Sequence, residues 1–190
     1  MYYVKYLGTF GFIKPWTAVR DSETFSQQFL TPSIIEGIEK KLFPDLLENE
    51  IPGIKKIINH RLSYSGIDYQ QEVTMSKGYK KEKNVLQKSR SIIKRGVLIY
   101  PKLYLLFENQ TDAEIAYSQT ICLARNEDLM FPIEIKKTEC EDFDKIPGFE
   151  LVFTEDNKGI LVGVNRFNNK LMYGNLKVVG NPLSDEYEEY

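Results

Sequence analysis

The side chains able to carry out chemistry in this chain are few. There is one histidine, His60, and there are two cysteines, Cys122 and Cys140. His60 stands beside Arg61, with Tyr64 close behind. Those are the residue types of metal-free RNA cleavage, in which a general base deprotonates a ribose 2′-hydroxyl and a cation stabilises the developing charge. The favoured reading of this histidine is instead a structural residue at the end of a strand, or a contact to phosphate, because acid–base catalysis needs a specific constellation that the sequence does not display. No H-E-x-x-H, paired C-x-x-C, phosphate-binding glycine loop, dinucleotide glycine pattern or G-x-S-x-G occurs. The acidic pairs Glu139/Glu141 and Asp142/Asp144 fall in turn-like sequence. The expectation is therefore no metal site, no cofactor and, by default, no catalytic set.

Charge is more informative. Residues 77–95 (KGYKKEKNVLQKSRSIIKR) carry eight Lys/Arg and one acid, Glu82, in a chain whose net charge is −2. From Lys55 to Arg95 there are eleven Lys/Arg against Asp68, Glu72 and Glu82, while the rest of the chain holds fourteen Lys/Arg and twenty-four Asp/Glu. A basic segment of this kind concentrates polyanions and releases their counterions on binding; it also suits a solvated face or a loop. Aliphatic, strand-like sequence flanks it on both sides, so it reads as an insertion projecting from a sheet.

The elements that must hold this insertion follow from periodicity. Met1–Leu7 alternates as a first strand. The Gly8–Ile13 string G-T-F-G-F-I echoes the aromatic signature of RNA-recognition motifs, although glycines beside aromatics also mark a bend or bulge. Trp16 reads as a core or interface residue, and Thr17–Leu30 as a long loop. Thr31-Pro32-Ser33 opens a helix: Pro suits its first turn, Ser33 to Glu36 has capping-box spacing, and Ile34, Ile35, Ile38 and Leu42 share a face. Its end is expected near Pro44, and Gly37 within it suggests close packing against a sheet. Further strands are expected at Ile54–Tyr64, at Val97–Glu108 with Pro101 at an edge or bulge, and at Phe131–Thr138, with a short helix at Thr111–Ser118. After an acidic turn region, Cys140–Gly148, come Phe149–Thr154, Gly159–Asn165 and Leu171–Val179, spaced as a meander.

This order predicts an α+β fold, a ferredoxin-like (RRM-like) βαββαβ core with a basic β-hairpin or loop thumb between its second and third strands. The expected division is 1–139 for that domain, with the thumb at about 65–96, then 140–183 for a small C-terminal β subdomain and 184–190 for an acidic tail. With two cysteines, no apolar run approaching the roughly twenty residues that span a bilayer, and no signal-peptide layout, a cytoplasmic location away from membranes is expected.

Three segments resemble the Cas-five subunit family of type I CRISPR surveillance (Cascade) complexes. Gly11-Phe12-Ile13-Lys14-Pro15 is similar to the family's G-F-x-x-P-like stretch. Thr24-Phe25, leading into Thr31–Ile38, resembles its P-S-x-I-x-G helix start. Ile121–Leu129 (ICLARNEDL) is close to its L-G-R-x-E-D-L loop, with Ala124 at the glycine position. Residues 93–106 are similar to the strand that ends the inserted thumb. The resemblance spans about residues 2–138 and implies a non-catalytic subunit. Such a subunit grips the 5′ handle of crRNA, caps the backbone-subunit filament, contacts the large subunit and meets target DNA only through the complex.

On this reading Lys77, Lys80, Lys81, Lys83, Arg90, Lys94 and Arg95 are candidates for the RNA backbone, and Tyr64, Tyr69 and Tyr79 for base stacking. Arg61 and Arg125 are candidates for specific handle contacts, because a guanidinium can bind bidentately or stack. Lys14 and Arg20 are further candidates that suit a protein interface as well. The competing readings are a metal-independent endoribonuclease that processes precursor crRNA, and a protein-interaction adaptor with a basic arm.

Overall fold

A computed structural model describes residues 1–15, 23–48, 53–74, 78–88, 91–154, 158–164 and 169–183. In chain order the elements are β1 (Tyr2–Gly8), β2 (Phe10–Gly11), β3 (Glu23–Phe25), α1 (Pro32–Leu42), β4 (Ile57–Ser63), β5 (Gly66–Thr74), β6 (Tyr79–Glu82), β7 (Val85–Lys88) and β8 (Ser91–Ile99). There follow β9 (Lys102–Phe107), α2 (Gln110–Tyr117), β10 (Ile121–Cys122), β11 (Leu129–Lys137), α3 (Cys140–Phe143), β12 (Gly148–Thr154), β13 (Ile160–Val164) and β14 (Leu171–Val179).

The main body is an eight-stranded sheet in the order β10-β11-β1-β9-β4-β12-β14-β13, antiparallel at every pairing. This corrects the ferredoxin-like βαββαβ expectation. The C-terminal strands do not leave a four-stranded core closed at β4; they continue its sheet, through the pairing of Phe149 with Leu62. The physical reason is the open edge of β4, whose unpaired backbone groups need partners. Nor do the last three strands form a simple meander, because β14 lies between β12 and β13.

Strand alternation gives the sheet two different faces. On one, Val4, Tyr6, Leu62, Leu103, Leu105 and Phe107 pack with Ile35, Ile38 and Leu42 of α1 and with Ala113 and Ala116 of α2. On the other, Tyr3 and Leu106 pack with Phe143 of α3, a helix that lies in the stretch expected to be a turn.

α1 starts and stops where Pro32 and Pro44 suggest, but its N-terminus differs from the expected capping box. Thr31 is the N-cap without a side-chain cap bond, and Glu36 instead accepts from Lys40 at 2.7 Å. Gly37 has no atom within 4 Å of the place a Cβ would occupy, so close packing does not explain it. The buried Glu39 carries more structural weight. Its Oε1 accepts the N–H groups of Lys55, Lys56 and Ile57 at 3.0, 2.5 and 2.8 Å, fixing the entry to β4 from the helix above it.

The expected strand Val97–Glu108 is two strands in two sheets. β8 ends at Ile99, Tyr100 takes φ +47°, and Pro101 separates it from β9. Proline cannot donate to a ladder, and the left-handed residue before it turns the chain out of the second sheet and into the first. In that second sheet β8 is central. It pairs antiparallel with β5 from Gly66↔Ile99 to Thr74↔Ser91, antiparallel with β2, and parallel with β3. β6 and β7 form a separate hairpin closed by Lys83 and Asn84 at φ +46° and +67°, the two positive values a tight I′-type turn requires.

Candidate nucleic-acid interface

The β5–β8 ladder, with β3 beside it, brings exposed aromatic and cationic side chains together on one face. Register and alternation put Tyr69, Gln71 and Val73 of β5 on one face with Gly96, Lys94 and Ile92 of β8, and with Phe25 and Glu23 of β3. Gly96 is the key to that face. Phe25 lies over it so closely that an added Cβ would stand 2.3 Å from the Phe25 Cδ1. The bare backbone lets Phe25 meet Tyr69 edge-on, ring centroids 5.5 Å apart, and both rings stay about half exposed, at 47% and 52%. The Tyr69 hydroxyl bonds to Glu23, which raises its pKa, and the Lys94 ammonium lies 5.9 Å from the Tyr69 ring centroid. Ile67, Val73 and Ile92 are exposed as well.

The opposite face of the same strands is an ion-pair knot built on the Ile121–Leu129 loop. Asp128 is fully buried and accepts the N–H groups of Phe12 and Arg125, each at 3.1 Å. It also accepts from Arg125 Nη2 at 2.7 Å, and Arg125 Nη1 reaches Glu72 of β5 at 3.0 Å. The Arg125 and Arg95 guanidinium carbons lie 5.2 and 5.3 Å from the Phe12 ring centroid. Burial opposes the charge on Arg125, but Asp128, Glu127 and Glu72 outweigh it and raise its pKa.

Of the residues singled out in the sequence, the structure brings Tyr69, Lys94, Arg95 and Arg125 to this sheet. Lys81 and Lys83 are exposed on the β6–β7 hairpin, together with Tyr79; Lys80 is also in β6. Lys14 is exposed elsewhere, beside a cleft of about 450 Å³ also lined by Thr31, Ser33, Val162 and Met172. Arg20, Lys77 and Arg90, with Trp16 and the 184–190 tail, lie outside the described residues.

Two candidates are turned inward. Arg61 is fully buried: Nη1 donates to Glu150 at 2.5 Å, Nη2 to Asp144 at 2.7 Å, and its guanidinium carbon lies 5.3 Å from the Phe143 ring centroid. Tyr64 is buried and stacked on Phe149 at 5.8 Å. Neither offers a surface to RNA. His60 is likewise buried, on the helix face beside Leu105, and its Nε2 has no hydrogen-bond partner among the described residues. Desolvation, and then the charge of Arg61, push its pKa down to about 4. A histidine so placed does not reach a ribose hydroxyl at the surface.

Phe25 is the interface residue that the sequence reading did not single out as a ligand contact. Its one local signal was an aromatic ring in an otherwise polar stretch.

Among the described residues there is no group of three or more His, Cys, Asp or Glu able to hold a metal ion, and no helix long and apolar enough to cross a membrane. No protein-family model matches the chain, and no curated protein matches it.

Proposed function

We propose that this chain binds single-stranded RNA along its β5–β8 sheet and lysine-bearing β6–β7 hairpin. In this reading it is the non-catalytic subunit of a type I CRISPR surveillance complex that holds the 5′ handle of crRNA. The observation that carries the RNA reading is the half-exposed Phe25–Tyr69 pair with Lys94 beside it. Base-on-aromatic stacking is worth roughly 1–3 kcal/mol per base, and a neighbouring ammonium adds attraction for the following phosphate. Lys81 and Lys83, which make no ion pair with a described residue, extend the cationic surface. The CRISPR assignment rests on the resemblance of the 11–15, 24–38 and 121–129 segments. Exposed Ile67, Val73 and Ile92 on the platform face suit contact with a neighbouring backbone or large subunit.

The test is to co-express the chain with a CRISPR array and its neighbouring genes, then sequence the RNA that co-purifies. A uniform species of one repeat-spacer unit, lost in a Tyr69→Ala, Lys81→Glu, Lys83→Glu, Lys94→Glu variant that still folds, supports the proposal. Heterogeneous RNA sinks the CRISPR assignment, and the absence of RNA sinks the RNA reading as well.

A further inference from the structure

The ion-pair knot contains a carboxylate in an unusual position. Glu72 Oε1 accepts from Arg125 Nη1 at 3.0 Å, while its Oε2 stands 3.8 Å from Arg95 Nε, and both guanidiniums lie against Phe12. Arg125 is held from behind: Asp128 takes its Nε and Nη2, and Gln70 Oε1 accepts from Nη2 at 3.1 Å. Glu127 reaches Nε at 3.3 Å from an exposed position. Nη1 therefore points at Glu72, whose side chain is 38% exposed and which has only a loose contact to Arg95.

We propose that Arg95 and Arg125, backed by Phe12, form a seat for an oxyanion, the phosphodiester of an RNA strand, and that Glu72 fills this seat while RNA is absent. The inference rests on the RNA-binding reading above and adds to it where a phosphate goes and what must leave. Guanidinium N–H groups donate to the oxygens of a carboxylate and to those of a phosphodiester alike. Asp128 is too buried, and too engaged by two backbone N–H groups, to be exchanged. Glu72 has neither constraint, so replacing it by a phosphate keeps the charge of the knot unchanged and the Arg125 Nη1 donor satisfied, while Asp128 holds Nε and Nη2. The seat lies across the sheet from the Phe25–Tyr69 platform, and β5, which among the described residues pairs with β8 alone, is the outer strand between them. A strand of RNA crossing the β5 edge places a base on one face and a phosphate on the other.

The experiment uses the full chain, a short labelled oligouridine read by fluorescence anisotropy, and inorganic phosphate against chloride at matched ionic strength read by thermal melting. Glu72→Gln keeps the shape and removes the competing charge. It should tighten oligouridine binding about three- to tenfold, as expected for uncovering one charge. It should also steepen the fall of log K with log salt by about 0.7, the increment for one more phosphate on a single strand. Adding Arg95→Gln should erase both gains, and phosphate should raise the melting midpoint of Glu72→Gln more than that of the unsubstituted chain. If the unsubstituted chain binds RNA and Glu72→Gln binds no better, with no extra phosphate stabilisation, the seat is overturned and the RNA reading stands. If phosphate stabilises the variant but neither protein binds RNA, the RNA assignment is overturned instead.

Discussion

Arg61 Nη1 donates to Glu150 Oε2 at 2.5 Å across the seam where the C-terminal strands join the sheet. The backbone ladder at that seam is sparse, with Phe149 and Leu62 as its one register pair, so side chains carry much of the junction. Asp144, the C-cap of α3, takes Arg61 Nη2, and Lys177 of β14 stands 3.1 Å from Asp144 and 3.8 Å from Glu150, tying three strands and the end of α3 into one network. Removing one partner of a buried pair leaves the others uncompensated. We expect Arg61→Met to cost about 3 kcal/mol, discounted from the upper range because Asp144 is half exposed. In urea melts read by hydrogen exchange, amides of β12–β14 should lose protection before those of β1 and β9. Uniform loss across the sheet would show that the seam is not separately held.

Gly37 of α1 supplies a prediction with the opposite sign. Open space surrounds the site of its missing Cβ, and its φ is not among the positive values. Gly37→Ala should therefore stabilise the chain by about 0.5–1 kcal/mol, through helix propensity and the lowered entropy of the unfolded state. A lowered melting midpoint would overturn the reading of Gly37 as an open helix position.

These two sites mark what was legible beforehand. α1 was readable because its signals are local: Pro32 at the first turn, Pro44 beyond the end, and isoleucines at helical spacing. The role of Arg61 was not, because charge says nothing about which face of a strand a side chain occupies. Its acidic partners lie beyond the β5–β9 segment, and only the β4–β12 pairing brings them near. Tyr64 failed for the same reason. The strand at 97–108 was legible as apolar sequence, but the break at Tyr100 and Pro101 sends its halves to different sheets. In the 121–129 loop the segment singles out Arg125 as a candidate for a handle contact. That its fork is largely committed to Asp128 depends on the burial of that carboxylate.

His60 sets a pH dependence. It is neutral in the folded chain because burial, and then Arg61, push its pKa down to about 4 from an ordinary 6.5. A depressed pKa means that the unfolded state takes up the proton first. The stability due to keeping His60 neutral is whole above about pH 6.5 and is lost as pH falls toward 4. The loss over that window is roughly 2–3 kcal/mol for one such group. Asp144 and Glu36, held below the usual carboxylate range chiefly by Lys177 and Lys40, act in the same direction at lower pH. Chemical denaturation at a series of pH values should show His60→Leu flattening the decline between pH 6.5 and 4. Parallel curves for the two proteins would sink this assignment.

Gly96 and Phe25 give a prediction for binding that leaves the core untouched. The Phe25 ring occupies the space of the absent Cβ, so Gly96→Ala must push the ring away from Tyr69. Phe25 and Tyr69 are about half exposed, so substituting either should move the melting midpoint little. If the pair stacks bases, Phe25→Ala, Tyr69→Ala and Gly96→Ala should each weaken binding to a short single-stranded RNA by roughly tenfold, within the 1–3 kcal/mol range of one stacked base. The salt slope should stay unchanged, because no phosphate contact is removed. Gly96→Ala is the most telling of the three, since it removes no ring and displaces one. Full affinity in Gly96→Ala, alongside a loss in Phe25→Ala, would mean that Phe25 contributes without its place beside Tyr69; full affinity in all three would sink the platform.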